Sequence, residues 1–296
     1  MRLLIYLEKR INIMVEDMFK LLGLSEAPFR LSPDPRYFYP AHGHDQALER
    51  LYLSIEQGTG LDIIYGDYGT GKSTIAEILL QKYINRDDFI VGRVTNPAVP
   101  TVFQFYKLLL DCFGIEPKGR TTLSYSRALE QFALDTNLGE NKKILLIIDE
   151  GESLTPTFID VLRTMLNFET PQRKLIQITI LAQLELIIKM KRKRNFVSRI
   201  NMSYVLNPLD REETEQLIGH RLRQAGWTGS PEWFPKNVID IIYQDSKGFP
   251  RAITRICREG LNQAIINGEE HVTPEIIAPI AKEEARVYGE RKIIKI

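Results

Sequence analysis

The residues with the clearest chemical potential lie at 65–74, where the chain reads YGDYGTGKST. Two glycines, Gly66 and Gly71, stand five positions apart and are followed by Lys72 and Ser73. Glycines let a loop bend so that consecutive backbone N–H groups point at one anion. The lysine then supplies charge for the β- and γ-phosphates, and the next hydroxyl can ligate Mg²⁺. This spacing predicts a P-loop that holds the phosphate chain of a nucleotide with Mg²⁺.

The segments around this loop favour the same interpretation over a chance match of a glycine-rich turn. The run LDIIY (61–65) is typical of a buried strand, and STIAEILLQKY (73–83) has helical periodicity. A helix N-terminus beneath the phosphates adds its own positive partial charge. The residues predicted to contact the nucleotide are Gly66, Asp67, Tyr68, Gly69, Thr70, Gly71, Lys72, Ser73 and Thr74.

Two adjacent acids at the end of an aliphatic run suggest hydrolysis. The segment KKILLIIDE (142–150) reads as a buried strand that ends in Asp149 and Glu150. We expect Asp149 to contact the Mg²⁺ shell together with Ser73, and Glu150 to act as base for the attacking water. The alternative is a pair of acids that merely ends a strand at the surface.

Two arginines are candidates to stabilise charge that develops on a transferred phosphoryl group. Arg199 stands just before the fifth predicted strand, where it can reach the nucleotide of a neighbouring subunit. Arg251, in GFPRAI, opens a later helix from which it can approach the γ-phosphate in the same chain. Either arginine can equally be a surface ion-pair residue.

The bulk composition is that of an ordinary globular protein. Of the 296 residues, 44% are hydrophobic and 26% charged, and the 39 basic and 38 acidic residues nearly cancel. Any site for nucleic acid or anionic lipid must therefore be a local patch. Cys112 and Cys257 have no metal-ligand company, which is typical of reduced cytosolic thiols. No apolar run approaches the ~18–20 residues that span a bilayer, so we expect no membrane insertion.

Strands and helices alternate as far as about residue 207, which predicts a parallel sheet covered on both faces. The predicted strands are 61–65, 89–95, 142–150, 174–181 and 200–206. Helices are predicted between them at 73–83, 102–114, 123–137 and 155–168. From Asp210 onward the periodicity is only helical. Asp210 and Glu213 predict a capping box at the start of a helix over 211–226, and further helices are predicted at 235–246, 250–267 and 274–288.

The predicted fold class is therefore α/β, a P-loop NTPase with a five-stranded parallel sheet and a small all-helical C-terminal domain. The predicted domains are an N-terminal extension and lead-in at 1–45, the α/β domain at 46–207 and the helical domain at 208–296. The first residues predict either a short helical extension or a true start at Met14 or Met18.

Several segments resemble, in order and spacing, the AAA+ ATPases of the ExeA-type branch, which is named after general secretion pathway protein A. They are the P-loop, ILLIIDE, QITILAQLEL (177–186), SRI (198–200), NPLDREETEQLIGHRLRQAG (207–226), GFPRAITRIC (248–257) and the lead-in at 18–48. The resemblance covers roughly residues 18 to 285. It implies an AAA+ core with a helical lid domain, ATP and Mg²⁺ as ligands, and ATP hydrolysis.

The resemblance also implies roles for individual residues. Lys72 and Ser73 correspond to Walker A, Asp149 and Glu150 to Walker B, Gln183 to the sensor-1 polar group, Arg199 to the arginine finger and Arg251 to the sensor-2 arginine. The sequence departs from the branch in two places. It has Asp-Glu-Gly-Glu at 149–152 where the branch usually has Asp-Glu-Ala-Gln, and Ala-Gln-Leu-Glu-Leu at 182–186 where it has Gly-Gln-Pro-Glu-Leu.

For function, the resemblance implies a cytoplasmic ATPase that forms a homo-oligomer on ATP and drives assembly or remodelling of a partner complex. Secretion proteins of this branch continue into a transmembrane helix and a peptidoglycan-binding part, neither of which is found before Ile296. We therefore expect either a stand-alone ATPase or a TnsC-like or MuB-like transposition regulator, with double-stranded DNA and a transposase or other protein as partners. A secretion role stays open, since a partner chain can carry the remaining parts.

Other interpretations remain. The chain can be an ATP-gated assembly platform with little turnover, or a small-molecule P-loop kinase, which the helical domain with GFPR disfavours. The basic run KMKRKR (189–194) is either a solvated helix end or a contact with a phosphate backbone or another subunit. The aromatic segment RYFY (36–39) either borders the adenine or forms a packed plug.

Overall fold

A computed structural model describes Phe19 and residues 23–170, 174–191, 193–229 and 232–288. The predicted N-terminal extension and the two alternative start residues lie outside the described residues. The chain divides into two compact units. An α/β unit comprises residues 42–206, and a helical unit combines the described parts of 1–41 and 207–296.

The α/β unit is built on five strands whose pairings are all parallel. They are β1 (Leu61–Gly66), β2 (Phe89–Val94), β3 (Lys143–Ile148), β4 (Ile176–Ala182) and β5 (Ile200–Leu206). Their order across the sheet is β2-β3-β4-β1-β5. The predicted five-stranded parallel sheet is thus confirmed. Because β3, β4 and β1 are neighbours, the loops that leave their carboxyl ends meet at one edge of the sheet.

Seven α-helices of the described residues surround this sheet. They are α1 (His42–Gln57), α2 (Lys72–Tyr83), α3 (Val102–Phe113), α4 (Thr122–Leu134), α5 (Pro156–Met165), α6 (Glu185–Met190) and α7 (Arg194–Val197). Threonine side chains cap α3, α4 and α5 by accepting backbone N–H groups, and Pro156 opens α5. The sequence did not predict α6 and α7, because six and four residues are too few to show a helical period.

The helical unit contains α8 (Arg211–Gln224), α9 (Lys236–Ser246), α10 (Pro250–Asn267) and α11 (Pro274–Tyr288). Asp210 and Glu213 form the predicted capping box at the start of α8. The lead-in segment packs into the core of this unit through Phe29 and Tyr37, and the Phe29 ring meets Phe234 edge to face at 5.5 Å. Tyr37 is 2% exposed, so this residue of the aromatic segment is packed in the helical unit.

The start of α10 is fixed by a tight contact inside the helical unit. Gly248 has φ +76°, and a Cβ there would lie 1.9 Å from the carbonyl oxygen of Leu209. The Leu209 N–H donates to the Gly248 carbonyl at 2.8 Å, and Phe249 is fully buried. Pro250 then opens the helix. The GFPR motif therefore has a structural role, which sets where Arg251 enters the first turn. No helix of the described residues has the length and apolar content needed to cross a membrane.

Candidate functional site: a P-loop at the carboxyl edge of the sheet

The P-loop joins the carboxyl end of β1 to the N-terminus of α2. Gly69 and Gly71 both adopt the left-handed region, at φ +83° and +102°, which favours glycine. A Cβ at Gly66 would lie 2.6 Å from the Thr70 hydroxyl oxygen, so the loop also needs a glycine at its start. The Thr70 hydroxyl donates to the Asp67 carbonyl at 2.9 Å and closes the turn. The predicted strand, loop and helix arrangement is therefore present.

The loop has the donors that a phosphate chain requires. The backbone N–H groups of Gly69, Gly71, Lys72 and Ser73 donate to no group within the described part of the chain. They stand at the N-terminus of α2, where the helix dipole is positive. Ser73 is exposed, so its hydroxyl is accessible to a metal ion. These features fit a nucleotide phosphate chain with Mg²⁺.

A buried histidine that sequence reasoning did not identify forms a hydrogen bond with the P-loop. His44, in the first turn of α1, is 4% exposed, and its Nε2 lies 2.7 Å from the Thr70 carbonyl oxygen. Because a carbonyl can only accept, Nε2 carries the proton and donates. A Cβ at Gly71 would lie 2.9 Å from the same nitrogen. No local sequence pattern reveals this contact, since it joins two segments 26 residues apart.

Lys72 is buried and folds back over the loop. Its Nζ donates to the carbonyls of Gly66 and Asp67, each at 2.9 Å. Burial lowers the pKa of Lys72, and the carboxylates of Glu152 and Asp149 oppose that shift. The ammonium group is thus held at the mouth of the loop by carbonyl oxygens, which the negatively charged oxygens of a phosphate can replace as stronger acceptors.

Asp149 and Glu150 follow β3 directly, two strands from the P-loop. Asp149 is 3% exposed, and its Oδ1 accepts the Glu150 N–H at 3.0 Å. Glu150 is exposed and takes a left-handed conformation at φ +50°, which is uncommon for a residue with a side chain. The backbone therefore turns sharply after Asp149, so that one acid is held inside the edge of the sheet and the next is presented to solvent.

The turn after Glu150 explains one departure from the ExeA-type pattern. Gly151 is buried, and a Cβ at this position would lie 2.4 Å from Cγ2 of Ile180 and 3.1 Å from Cβ of Ala182. Both neighbours belong to β4, which pairs with β3. A glycine is required here because the 3-10 turn Gly151–Ser153 lies directly against that strand.

Gln183 comes immediately after β4, at the same edge as the P-loop, since Ala182 pairs with Tyr65 of β1. Its side-chain amide donates to Glu152 Oε1 at 2.6 Å, and its backbone N–H donates to Glu152 Oε2 at 2.9 Å. Sequence reasoning noted Glu152 only as a departure from the family pattern. The structure brings it into the site, because its carboxylate fixes Gln183 and also acts on the pKa of Lys72.

Arg199 lies at the other edge of the sheet. It directly precedes Ile200, and Ile200 pairs with Leu61, the first residue of β1. Its backbone N–H donates to the Phe196 carbonyl at 3.0 Å, and its charge helps to lower the pKa of the exposed Glu169. Arg199 is therefore not brought together with the P-loop of its own unit. Arg251 lies in the first turn of α10 in the helical unit and is exposed.

A family profile described as an AAA domain matches residues 55–188. General secretion pathway protein A of Aeromonas hydrophila is 29% identical over 273 residues, which cover 92% of this chain and 49% of that protein. The chain thus spans about half the length of the curated relative it matches.

Solved structures show the same fold at low identity. The Aeropyrum pernix ORC2 protein, determined as ADPNP-ADP complexes, has a TM-score of 0.62 at 18% identity and covers 82% of this chain and 67% of its own. The Aeropyrum pernix ORC1 protein in complex with DNA has a TM-score of 0.63 at 16% identity, with coverages of 87% and 69%. The sheet order, the P-loop and the match to an AAA domain agree with one another, and along most of its length the chain is similar to a general secretion pathway protein A.

Proposed function

We propose that the protein binds ATP with Mg²⁺ and hydrolyses it at boundaries between copies of the chain, and that this drives assembly or remodelling of a partner complex. The observation that carries the proposal is the convergence of three segments at the carboxyl edge of neighbouring strands. Lys72 follows β1, the acids Asp149 and Glu150 follow β3, and Gln183 follows β4 between them. A site that only binds phosphate has no need for the second and third of these segments.

Each residue has a proposed task. The N–H groups of the loop and Lys72 bind the phosphates, with Asp67, Tyr68 and Thr74 at the loop's rim, and Ser73 and Asp149 hold Mg²⁺. When bound, Mg²⁺ neutralises charge on the β- and γ-phosphates. Glu150 accepts a proton from the attacking water, since it is exposed at the same carboxyl edge of the sheet as the loop. Gln183 orients the water or the γ-phosphate through the amide that Glu152 positions.

Arg199 is the residue to which we assign a role at the boundary between subunits. Since it lies at the amino edge of the sheet, it cannot reach the P-loop of its own unit, and we assign it to the nucleotide of a neighbouring copy. This arrangement joins successive copies head to tail, as in rings and helical filaments. Arg251 is assigned to the γ-phosphate as the sensor-2 arginine of the same chain, on the strength of the family resemblance and its place in the first turn of α10.

The proposed partners are a second copy of the chain, double-stranded DNA and a transposase or another protein client, with the cytoplasm as location. The similarity to a protein of the general secretion pathway supports a secretion role, and the fold shared with an ORC1 protein solved with DNA supports a role on DNA. A second candidate function is an ATP-gated platform in which assembly, rather than turnover, is the output. The exposed Glu150 favours turnover over this alternative.

The test separates binding, assembly and hydrolysis. Wild type, Lys72→Ala and Glu150→Gln are compared for ATP binding by calorimetry, for assembly by sedimentation with a non-hydrolysable analogue, and for phosphate release, each with and without duplex DNA. We expect Lys72→Ala to bind ATP much more weakly and to lose assembly and phosphate release, and Glu150→Gln to retain binding and assembly while losing phosphate release. If wild type assembles on ATP but releases no phosphate under any condition, the platform function replaces the hydrolytic one.

A further inference from the structure

A basic groove opens on the α/β unit, and none of the residues that line it is assigned to the nucleotide. It is a cavity of about 640 Å³ lined by Asp160, Arg163, Lys191, Lys193, Arg194, Asn195 and Phe196. Helix α5 contributes the first two residues, and the segment that runs from the end of α6 into α7 contributes the others. Four of these side chains are cationic and one is a carboxylate, in a protein whose total charges nearly cancel.

The carboxylate of Asp160 lies close to two of the four cationic side chains. Asp160 forms an ion pair with Lys193, and its Oδ1 lies 3.7 Å from Nε of Arg163. The other two cations differ. Lys191 and Arg194 are exposed, and neither forms an ion pair with any residue in the described ranges. The groove therefore presents two fixed and two available cations on the same concave surface.

The lining indicates what kind of anion fits. Pockets for small organic ligands are mostly apolar, whereas Phe196, the apolar side chain among the described lining residues, is fully buried beneath the surface. Proteins that hold single-stranded nucleic acid use exposed aromatic rings on which bases stack, and the lining within the described ranges presents no such ring. Cations without stacking partners or an apolar wall are suited to the regularly spaced phosphates of a duplex backbone.

We propose that the basic groove binds the phosphate backbone of double-stranded DNA through Arg163, Lys191, Lys193 and Arg194. Such contacts read no base, so binding is independent of sequence and falls steeply with salt. The site uses none of the residues assigned to ATP. It deepens the proposed function by locating DNA on the ATPase unit, but it does not depend on hydrolysis.

The experiment measures how the affinity for DNA depends on salt. A labelled duplex of about 20 base pairs is titrated by fluorescence anisotropy between about 50 and 200 mM salt, with and without a non-hydrolysable ATP analogue. The test variant carries Lys191→Gln with Arg194→Gln. The matched control carries Lys118→Gln with Arg120→Gln, which removes the same charge from two exposed residues of the same unit. All four positions are exposed, and thermal unfolding confirms that each variant is folded.

The slope of log affinity against log salt is negative, and each phosphate contact contributes about 0.9 to its magnitude. We expect the magnitude to decrease by about 1.8 in the groove variant, which lacks two contacts, and to stay at the wild-type value in the control. A single strand of the same length should bind more weakly than the duplex. The proposal is overturned if wild type does not bind duplex DNA, if both variants lose the same slope, or if neither does. A groove variant that assembles poorly with an unchanged slope identifies a contact between copies instead.

A further variant distinguishes failure of the groove from failure of the ATPase. Lys72→Ala should keep the wild-type salt slope in nucleotide-free buffer, because Lys72 does not line the groove. A shallower salt dependence of DNA affinity in the groove variant, together with normal ATP binding, supports DNA binding by the groove, whether or not the protein hydrolyses ATP. Loss of ATP binding in both variants contradicts the separation of the two sites.

Discussion

Arg199 and Lys72 lie at opposite edges of one parallel sheet. Lys72 folds over the loop that leaves the carboxyl end of β1, with its Nζ 2.9 Å from the Gly66 carbonyl oxygen. Arg199 precedes β5, which runs beside β1 in parallel register from Leu61 to Gly66. Six residues of strand span on the order of 20 Å, beyond the reach of an arginine side chain. One chain therefore carries a phosphate site and a cation too distant to reach it, which fits the proposed division of the site between copies.

Mixing two inactive variants tests this division between copies. Arg199→Ala should lower the turnover number for ATP at least about 100-fold, since arginine fingers contribute about 10³–10⁵ in kcat. Glu150→Gln should be inactive for a different reason, as it lacks the base but keeps Arg199. In an equimolar mixture we expect phosphate release to recover to roughly a quarter of wild type, because that share of head-to-tail boundaries combines an intact base with an intact arginine. A mixture as inactive as its components contradicts action across the boundary.

Replacing Lys72 tests the phosphate site itself. Lys72→Ala removes a charge-assisted contact, so we expect nucleotide affinity to fall about 10- to 100-fold, corresponding to about 1.5–3 kcal/mol. Calorimetric titration with an ATP analogue provides the measurement. Lys107→Ala, an exposed lysine on α3, is the control and should leave the affinity unchanged. Equal affinities in the two variants rule out Lys72 as the phosphate ligand.

The sequence predicted the sheet and the loops at its edge because both depend on local patterns. The aliphatic strands and the glycine spacing at 66–71 can be recognised from the local sequence, without knowing which residues contact them in the fold. Contacts between distant segments were not predictable in this way. His44 braces Thr70 from another helix, and Glu152 holds Gln183 from another strand's loop. Neither residue type signals such a role until the fold brings the partners within hydrogen-bonding distance.

Glu152 is expected to act by positioning Gln183. Glu152→Ala removes the acceptor of two hydrogen bonds, at 2.6 and 2.9 Å. We expect kcat for ATP hydrolysis to fall about 10-fold, as for the loss of a hydrogen bond to a charged group. KM should stay the same or fall, since loss of a carboxylate near Lys72 does not weaken phosphate binding.

The conservative variant provides the control for that prediction. Glu152→Gln keeps an acceptor for the Gln183 amide and should restore most of kcat. Steady-state kinetics of both variants give the comparison, with thermal unfolding to confirm that each is folded. A purely structural role for Glu152 predicts a fall in unfolding temperature that parallels the loss of activity in both variants.

Gly151→Ala tests the close contact between the acidic turn and β4. Its Cβ would lie 2.4 Å from Cγ2 of Ile180, so we expect a loss of about 1–3 kcal/mol in the free energy of unfolding from overpacking. Combined with Ile180→Ala, which removes that methyl group, the loss should be less than additive by about 1 kcal/mol or more. Urea denaturation gives these values.

Gly139→Ala is the matched glycine control. A Cβ there meets nothing within 4 Å, so the free energy of unfolding should change by no more than about 0.5 kcal/mol. Strict additivity of Gly151→Ala and Ile180→Ala would mean that the cost at Gly151 does not arise from this contact.

A buried polar network lies at the amino edge of the same sheet, around Asp62 of β1. Asp62 is fully buried and accepts hydrogen bonds from Ser54 Oγ at 2.6 Å and Gln177 Nε2 at 2.7 Å. Asn201 donates to Ser54 at 3.1 Å, and Gln177 accepts the Gly60 N–H at 2.6 Å. Burial raises the pKa of Asp62 from 3.8 to about 6, and the hydrogen bonds from its neighbours only partly offset that shift.

This pKa makes stability depend on pH in a predictable direction. An acid with a raised pKa holds its proton longer in the folded state, so its contribution to stability decreases as pH rises from about 4 to about 6. Asp62→Asn does not titrate. Wild type therefore loses stability over this window and the variant does not. We expect the free energy of unfolding of the variant minus that of wild type to increase by roughly 2–3 kcal/mol as pH rises from about 4 to about 6.

Urea midpoints measured at several pH values give this difference. Asp87→Asn, at an exposed position, is the control and should run parallel to wild type. Taking the difference between variant and wild type matters, because the other carboxylates of the chain are common to both and cancel. A difference that stays constant from pH 4 to 6 would show that Asp62 is already ionised in the folded protein, with the donors around it outweighing its burial.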